Sequence, residues 1–150
     1  MDEHIYKRHN KTLLLYHLVF PAKYRREVFS DEVEKSLKSV CVGISVRYEI
    51  NFLEIGLEAD HVHFLVQSVP LMSVSQIVIT IKSITAKEIF RMHKEVKSKL
   101  WGGSLWTSGY YANTVGLYAS KDVILKYITG QGHMQSEYKK LYDGQLRFDF

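Results

Sequence analysis

The sequence is poor in residues that cross-link or punctuate a chain. Its single cysteine, Cys41, excludes an intrachain disulfide framework and any cysteine-based zinc cluster. So little sulfur fits a reducing cytoplasm. The two prolines, Pro21 and Pro70, stand far apart, and no linker or low-complexity tract divides the chain. The longest apolar run, Leu13 to Phe20, is interrupted by His17 and is too short to span a bilayer. The chain begins Met1-Asp2-Glu3-His4, acidic where a secretory leader is basic. No P-loop, G-x-G-x-x-G or H-E-x-x-H pattern occurs, so neither a nucleotide site nor a zinc-hydrolase helix is indicated. The expectation is one cytoplasmic domain over residues 1–150, with 1–11 and 133–150 as peripheral tails and no membrane association.

What is present is ordinary in bulk and uneven in placement. Hydrophobic residues make up 46% and charged residues 24%, enough for one proper core. The net charge of +4 is concentrated. Residues 82–99 hold six basic side chains, from Lys82 to Lys99, against Glu88 and Glu95, and so carry the whole excess. Lys87, Arg91 and Lys94 fall at i, i+4 and i+7, one stripe of a helix. A second cluster, Lys23-Tyr24-Arg25-Arg26, follows Pro21. Each has two readings, a solvated surface or a contact to nucleic-acid phosphate.

Periodicity sets the elements. Thr12 to Phe20 reads as a buried strand stopped by Pro21. Ser30 or Asp31 caps a helix to about Arg47, with Val33, Leu37, Val40, Cys41 and Ile44 on one face. A strand over 51–58 has its alternation broken near Leu53-Glu54, and the next strand follows so closely that a hairpin is nearly forced. Ser73-Val74-Ser75-Gln76 has the form of a capping box opening a helix to about Lys97. Residues 105–116 read as a fourth strand, irregular at Gly109. Ser120 opens a last helix, on which Tyr127 and Gln131 lie four apart on one face. The order β-α-β-β-α-β gives an α+β, ferredoxin-like layout: an antiparallel sheet with helices on one face, plus an extra C-terminal helix carrying Tyr127.

The third strand carries the most unusual pattern, Asp60-His61-Val62-His63-Phe64-Leu65-Val66. Alternation puts His61 and His63 on one face, about 7 Å apart along the strand, and Val62, Phe64 and Val66 on the other. Two imidazoles so placed can hold one divalent ion or clamp a phosphate, or they are partly buried polar residues on a half-wet face. Trp106 and Tyr110 sit in an aromatic, polar stretch; aromatics there either stack on unpaired bases or fill the core.

These blocks closely resemble the single-tyrosine HUH transposases of small bacterial insertion sequences, where HUH denotes His, a hydrophobic residue, His. Here the motif is His61-Val62-His63. Family-like blocks stand in order around it: Tyr16 to Phe20 leading to Lys23-Tyr24-Arg25-Arg26, then Leu105-Trp106 through Gly109-Tyr110-Tyr111 to Gly116, then Tyr127-Ile128 with Gln131. The resemblance covers roughly residues 12 to 132. It implies an enzyme that cleaves and rejoins single-stranded DNA at hairpin-forming element ends through a 5′-phosphotyrosine. By resemblance Tyr127 is the nucleophile, and His61, His63 and Gln131 hold Mg²⁺ or Mn²⁺, with no nucleotide cofactor. It also implies a homodimer, with sites completed in trans. Candidate DNA contacts are Lys23, Arg25, Arg26, Lys82, Lys87, Arg91, Trp106 and Tyr110. Rival readings are another HUH endonuclease, of replication or domesticated repeat-associated type, and a non-catalytic single-stranded nucleic-acid-binding module.

Overall fold

The structure, a computed structural model, describes residues 3–116. The expected last helix, with Tyr127 and Gln131, lies outside the described residues. The first residues do more than lead in: β1 (Ile5–Tyr6) pairs antiparallel with β2 (Lys11–Thr12). The strand that follows, β3 (Leu14–Pro21), is therefore shorter at its start than the apolar run suggested.

Ser30 caps α1 (Asp31–Arg47), its Oγ accepting from Val33 N at 3.3 Å, with Asp31, Glu32 and Glu34 in the first turn. Acidic groups there complement the exposed amides of the helix start. Next come β4 (Asn51–Leu57) and β5 (His61–Ser68), the expected hairpin. The broken alternation in β4 has a simple cause, a bulge between Phe52 and Glu54. One extra residue, Leu53, restores Ile55 and Leu57 to the face of Phe52. Helix α2 (Val74–Met92) opens with a complete capping box, in which Gln76 N donates to Ser73 Oγ and Ser73 N to Gln76 Oε1.

Helix α2 does not run to Lys97. His93 leaves the helical region, at φ −130° and ψ 83°, and a separate short helix α3 (Lys94–Lys99) follows. The His93 ring explains the break. It bonds Ser36 Oγ of α1 through Nε2 at 2.7 Å and Glu95 through Nδ1 at 3.2 Å, tying the chain to the neighbouring helix. The expected stripe of Lys87, Arg91 and Lys94 is interrupted there. The last described strand, β6 (Tyr111–Val115), is shorter than the aromatic stretch, since Trp106 only bridges Ala22.

The four long strands form one antiparallel sheet in the order β4-β5-β3-β6. One face is the core: Leu18, Phe20, Val62, Phe64 and Val66 pack against Val33, Leu37, Cys41 and Ile44 of α1 and Ile77, Ile81 and Ile89 of α2. The other face carries His17, Val19, His63, Leu65 and Gln67, all buried, where the helix-on-one-face layout suggested an open side. Among the described residues no helix is long and apolar enough to cross a membrane.

Candidate functional site

His61 opens β5 opposite Pro21, and His63 lies between Val19 of β3 and Gly56 of β4. The strand pleat brings both imidazoles to one face, as the spacing requires. Their ring centroids are 4.9 Å apart at an interplanar angle of 61°. A third imidazole joins them. His17 of β3 stacks on His63, with centroids 5.8 Å apart and planes within 6°, and meets the Tyr111 ring edge-on at 6.4 Å. Gly56, paired with His63 in the neighbouring strand, adds no side chain to this face.

A carboxylate fixes His61. Asp60 Oδ1 lies 2.7 Å from His61 Nδ1. Asp60 Oδ2 in turn accepts from Arg25, at 3.1 Å from Nε and 3.0 Å from Nη2. The hydrogen bond from His61, with the Arg25 charge beside it, holds the Asp60 carboxyl below its ordinary value despite partial burial. An ionised carboxylate only accepts, so Nδ1 of His61 carries a proton, and in the neutral ring the lone pair is on Nε2. That Nε2 is buried and has no hydrogen-bond partner among the described residues.

The neighbouring rings are held neutral. Burial lowers His63 to about 3, and the adjoining imidazoles of His61 and His17 add to it because charge on one ring disfavours charge on the next. Burial lowers His17 to about 4, against an opposing hydrogen bond with Asn113. Neutral imidazole is the form that binds metal. The donor set suits a borderline divalent ion: one imidazole with an oriented lone pair and another kept unprotonated beside it. Among the described residues no group of three His, Cys, Asp or Glu side chains is arranged to hold a metal ion, so a complete ligand set requires a group of another kind or from elsewhere in the chain.

Sequence reasoning passed over His17, Asp60 and the inward role of Arg25. The signals were a histidine inside an apolar run and an acid directly before the His-x-His pair. The proposed DNA contacts divide. Arg25 is spent on Asp60. Lys82 turns inward, donating to Thr107 O and Gly109 O at 2.8 Å each, and burial lowers it to about 8. Trp106 is a core residue, 4% exposed, stacked on Phe29 and donating through Nε1 to Thr85 Oγ1 at 3.0 Å. Tyr110 packs against the core with its ring 5.7 Å from the Lys82 ammonium. Lys87 and Arg91 are exposed on α2, in the layer opposite the histidine face, and Arg91 pairs with Glu88 at 2.6 Å. Arg26 is exposed, and Lys23 is half-buried.

Comparison with known proteins places this geometry. Residues 10–131 match the family described as "Transposase IS200 like". The chain is 33% identical over 118 residues to the ISDra2 transposase TnpA of Deinococcus radiodurans, covering 79% of this chain and 84% of that one. It is 32% identical over 113 residues to the transposase for insertion sequence element IS200 of Salmonella typhimurium, covering 75% and 74%. A crystal structure of a candidate transposase from Deinococcus radiodurans R1 superposes with a TM-score of 0.69 at 29% identity, covering 85% of this chain and 97% of that one. The family match spans most of the chain and the relatives exceed 30% identity over three quarters of it, so the chain belongs to the IS200-like transposase family.

Proposed function

We propose that the protein is a metal-dependent single-tyrosine transposase, which cleaves and rejoins single-stranded DNA at the ends of its element. The observation that carries this reading is the His61 arrangement. A carboxylate fixes the tautomer, and the buried Nε2 has no protein partner among the described residues. A structural histidine has no need of a polished, unused lone pair, whereas a ligand does.

In this reading His61 and His63 hold Mg²⁺ or Mn²⁺, with the Gln131 amide as third ligand. When bound, the ion neutralises charge on the scissile phosphate. Tyr127 supplies the nucleophile. Its phenolic oxygen forms a bond to phosphorus as the bond to the 3′ oxygen breaks. The phenol proton leaves to water, and the released 3′ oxygen takes one up. The phenol has an ordinary pKa of about 10, so loss of that proton is part of the barrier. One phosphodiester is exchanged for another, and a free 3′ hydroxyl reverses the step on a new strand without a nucleotide cofactor. The β4-β5-β3-β6 order with both long helices on one face supports the ferredoxin-like assignment, with the tyrosine helix added to it. The substrate ends are hairpins formed by single-stranded DNA, and the working unit is a homodimer with composite sites.

The test is covalent capture. Labelled single-stranded DNA from the element ends, mixed with the protein and Mn²⁺, is expected to yield a band that survives SDS. EDTA or Tyr127→Phe removes that band while native-gel binding persists. An adduct retained in Tyr127→Phe moves the nucleophile elsewhere. Binding with no adduct under any metal supports the binding-module reading.

A further inference from the structure

Three residues other than glycine have positive φ among the described residues: Tyr24 at 60°, Arg25 at 53° and Trp101 at 54°. Two of them, Tyr24 and Trp101, meet in one place. The Tyr24 and Trp101 rings lie 5.3 Å apart, and the Arg26 guanidinium sits 4.4 Å from the Trp101 ring centroid. The Lys23 ammonium lies 5.4 Å from the Tyr24 centroid. These rings fill no core. Trp101 is 70% exposed and Tyr24 60%.

The position of Trp101 is the telling part. Helix α3 ends in a Schellman arrangement: Gly102 N donates to Lys97 O at 2.8 Å and Trp101 N to Ser98 O at 3.1 Å. The residue at Trp101 must then be left-handed, where glycine is the ordinary occupant and a bulky side chain is strained. Glycine is available one residue later, yet the strained position holds an exposed indole. The helix end requires a left-handed residue but not a bulky one, and a strained bulky residue of this kind is typical of functional sites.

The second strained segment links this patch to the histidine site. Left-handed backbone at Tyr24 and Arg25 separates the side chains of the turn. Arg25 points in to Asp60, which holds His61, while Tyr24 and Arg26 flank Trp101. The turn itself is pinned by Ala22 N to Asp60 O and Lys23 N to Leu105 O, each 2.8 Å.

We infer that Tyr24, Arg26 and Trp101 form a stacking site for an unpaired base of the DNA strand whose phosphate lies at His61 and His63. Exposed aromatic faces bracketed by cations are the chemistry that binds single-stranded nucleic acid: the rings take bases and the cations take the backbone. Arg26 covers one face of the indole and keeps it oriented. The inference rests on the reading of the substrate as unpaired DNA and adds to it a base site built from exposed residues.

The chain has two tryptophans, Trp101 exposed and Trp106 buried, so the emission change lost in Trp101→Gly reports the site. The full-length protein is titrated with oligothymidylate and, in parallel, with an abasic backbone of equal length. The bases are expected to quench emission and the abasic backbone to leave it unchanged. Trp101→Gly is expected to bind oligothymidylate about tenfold more weakly, at an unaltered salt dependence, without lowering the thermal midpoint, since glycine suits the left-handed backbone. Trp101→Phe retains most of the affinity. Arg26→Gln lowers the slope of log affinity against log salt by about one. Unmoved emission on oligothymidylate binding, or undiminished affinity in Trp101→Gly, overturns the stacking site; an SDS-stable Tyr127 adduct on element-end DNA would then leave the catalytic reading standing. Quenching without any adduct sinks the catalytic reading and keeps the site. A wild-type protein that binds no unpaired DNA overturns both.

Discussion

Strands β3 and β5 present two faces built from alternate residues of the same segments, and both faces are buried. On one, Leu18, Phe20, Val62, Phe64 and Val66 meet the helices, and all are apolar. On the other, His17, His63 and Gln67 alternate with Leu15, Val19 and Leu65. Burial therefore does not distinguish core from site; the need for partners does. The apolar face is stabilised in proportion to area and asks for no particular orientation. The polar face must satisfy each group: Gln67 Nε2 donates to Glu3 O at 2.7 Å, and His61 is bound by Asp60. Burial keeps its His17 and His63 neutral well below their ordinary range, which costs stability only in acid and leaves them ready to ligate.

The sharpest break of this comparison uses adjacent residues. Phe64→Ala opens a cavity in the helix-side core and is expected to cost about 3–5 kcal/mol in urea unfolding. His63→Ala, one residue away on the other face, is expected to cost much less stability yet abolish metal-dependent adduct formation. Equal stability losses in the two variants, or full activity in His63→Ala, would erase the functional distinction between the faces.

A smaller effect comes from protons. His17 falls from an ordinary 6.5 to about 4 in the folded protein because burial disfavours its charged form. Between those values the unfolded chain binds the proton and the folded chain does not, so acid favours unfolding. The contribution is fully present above about pH 6.5 and is lost as pH falls toward 4, on the order of 3 kcal/mol in all. His17→Gln removes the titrating group. Its unfolding free energy, measured in EDTA, is expected to decline less steeply from pH 6.5 to 4 than that of the wild type. Parallel slopes for the two proteins would refute the assignment.

The sequence was most informative where a local rule acts alone. The Ser30 cap, the Ser73-Gln76 capping box and the alternation that puts His61 and His63 together depend only on neighbours in the chain. Even the disturbed pattern at Leu53 was visible, although its form, a bulge, needed the partner strand. Long-range contacts decided what was missed. Helix α2 stops at His93 because that ring reaches Ser36, fifty-seven residues away. Lys82 reads as a surface group and Trp106 as either a base-stacking or a core residue; the carbonyls of Thr107 and Gly109 draw Lys82 inward, and the hydroxyl of Thr85 holds Trp106 in the core. Arg25 belonged to a basic cluster whose members point in different directions because two residues are left-handed. Composition records the cluster and is blind to that divergence. The assigned roles of Tyr127 and Gln131 came from the family resemblance, and both residues lie outside the described part of the chain.

The finest test concerns Asp60, which touches no substrate in this reading and acts by positioning. Asp60→Asn keeps the side-chain shape but removes the charge that fixes the His61 tautomer and pairs with Arg25. A ligand with a mobile tautomer still binds metal, only more weakly, because part of its population offers the protonated nitrogen. Loss of such a carboxylate partner typically weakens metal binding 10–100-fold. The Mn²⁺ concentration for half-maximal adduct formation is therefore expected to rise by about that factor, while the yield at saturating metal returns close to the wild-type level. A purely structural role for Asp60 predicts the reverse, a lowered unfolding midpoint and an unchanged metal requirement. Since Arg25 bonds the carboxylate that orients His61, Arg25→Gln is expected to shift the metal requirement in the same direction by less, and the two substitutions together by no more than Asp60→Asn alone.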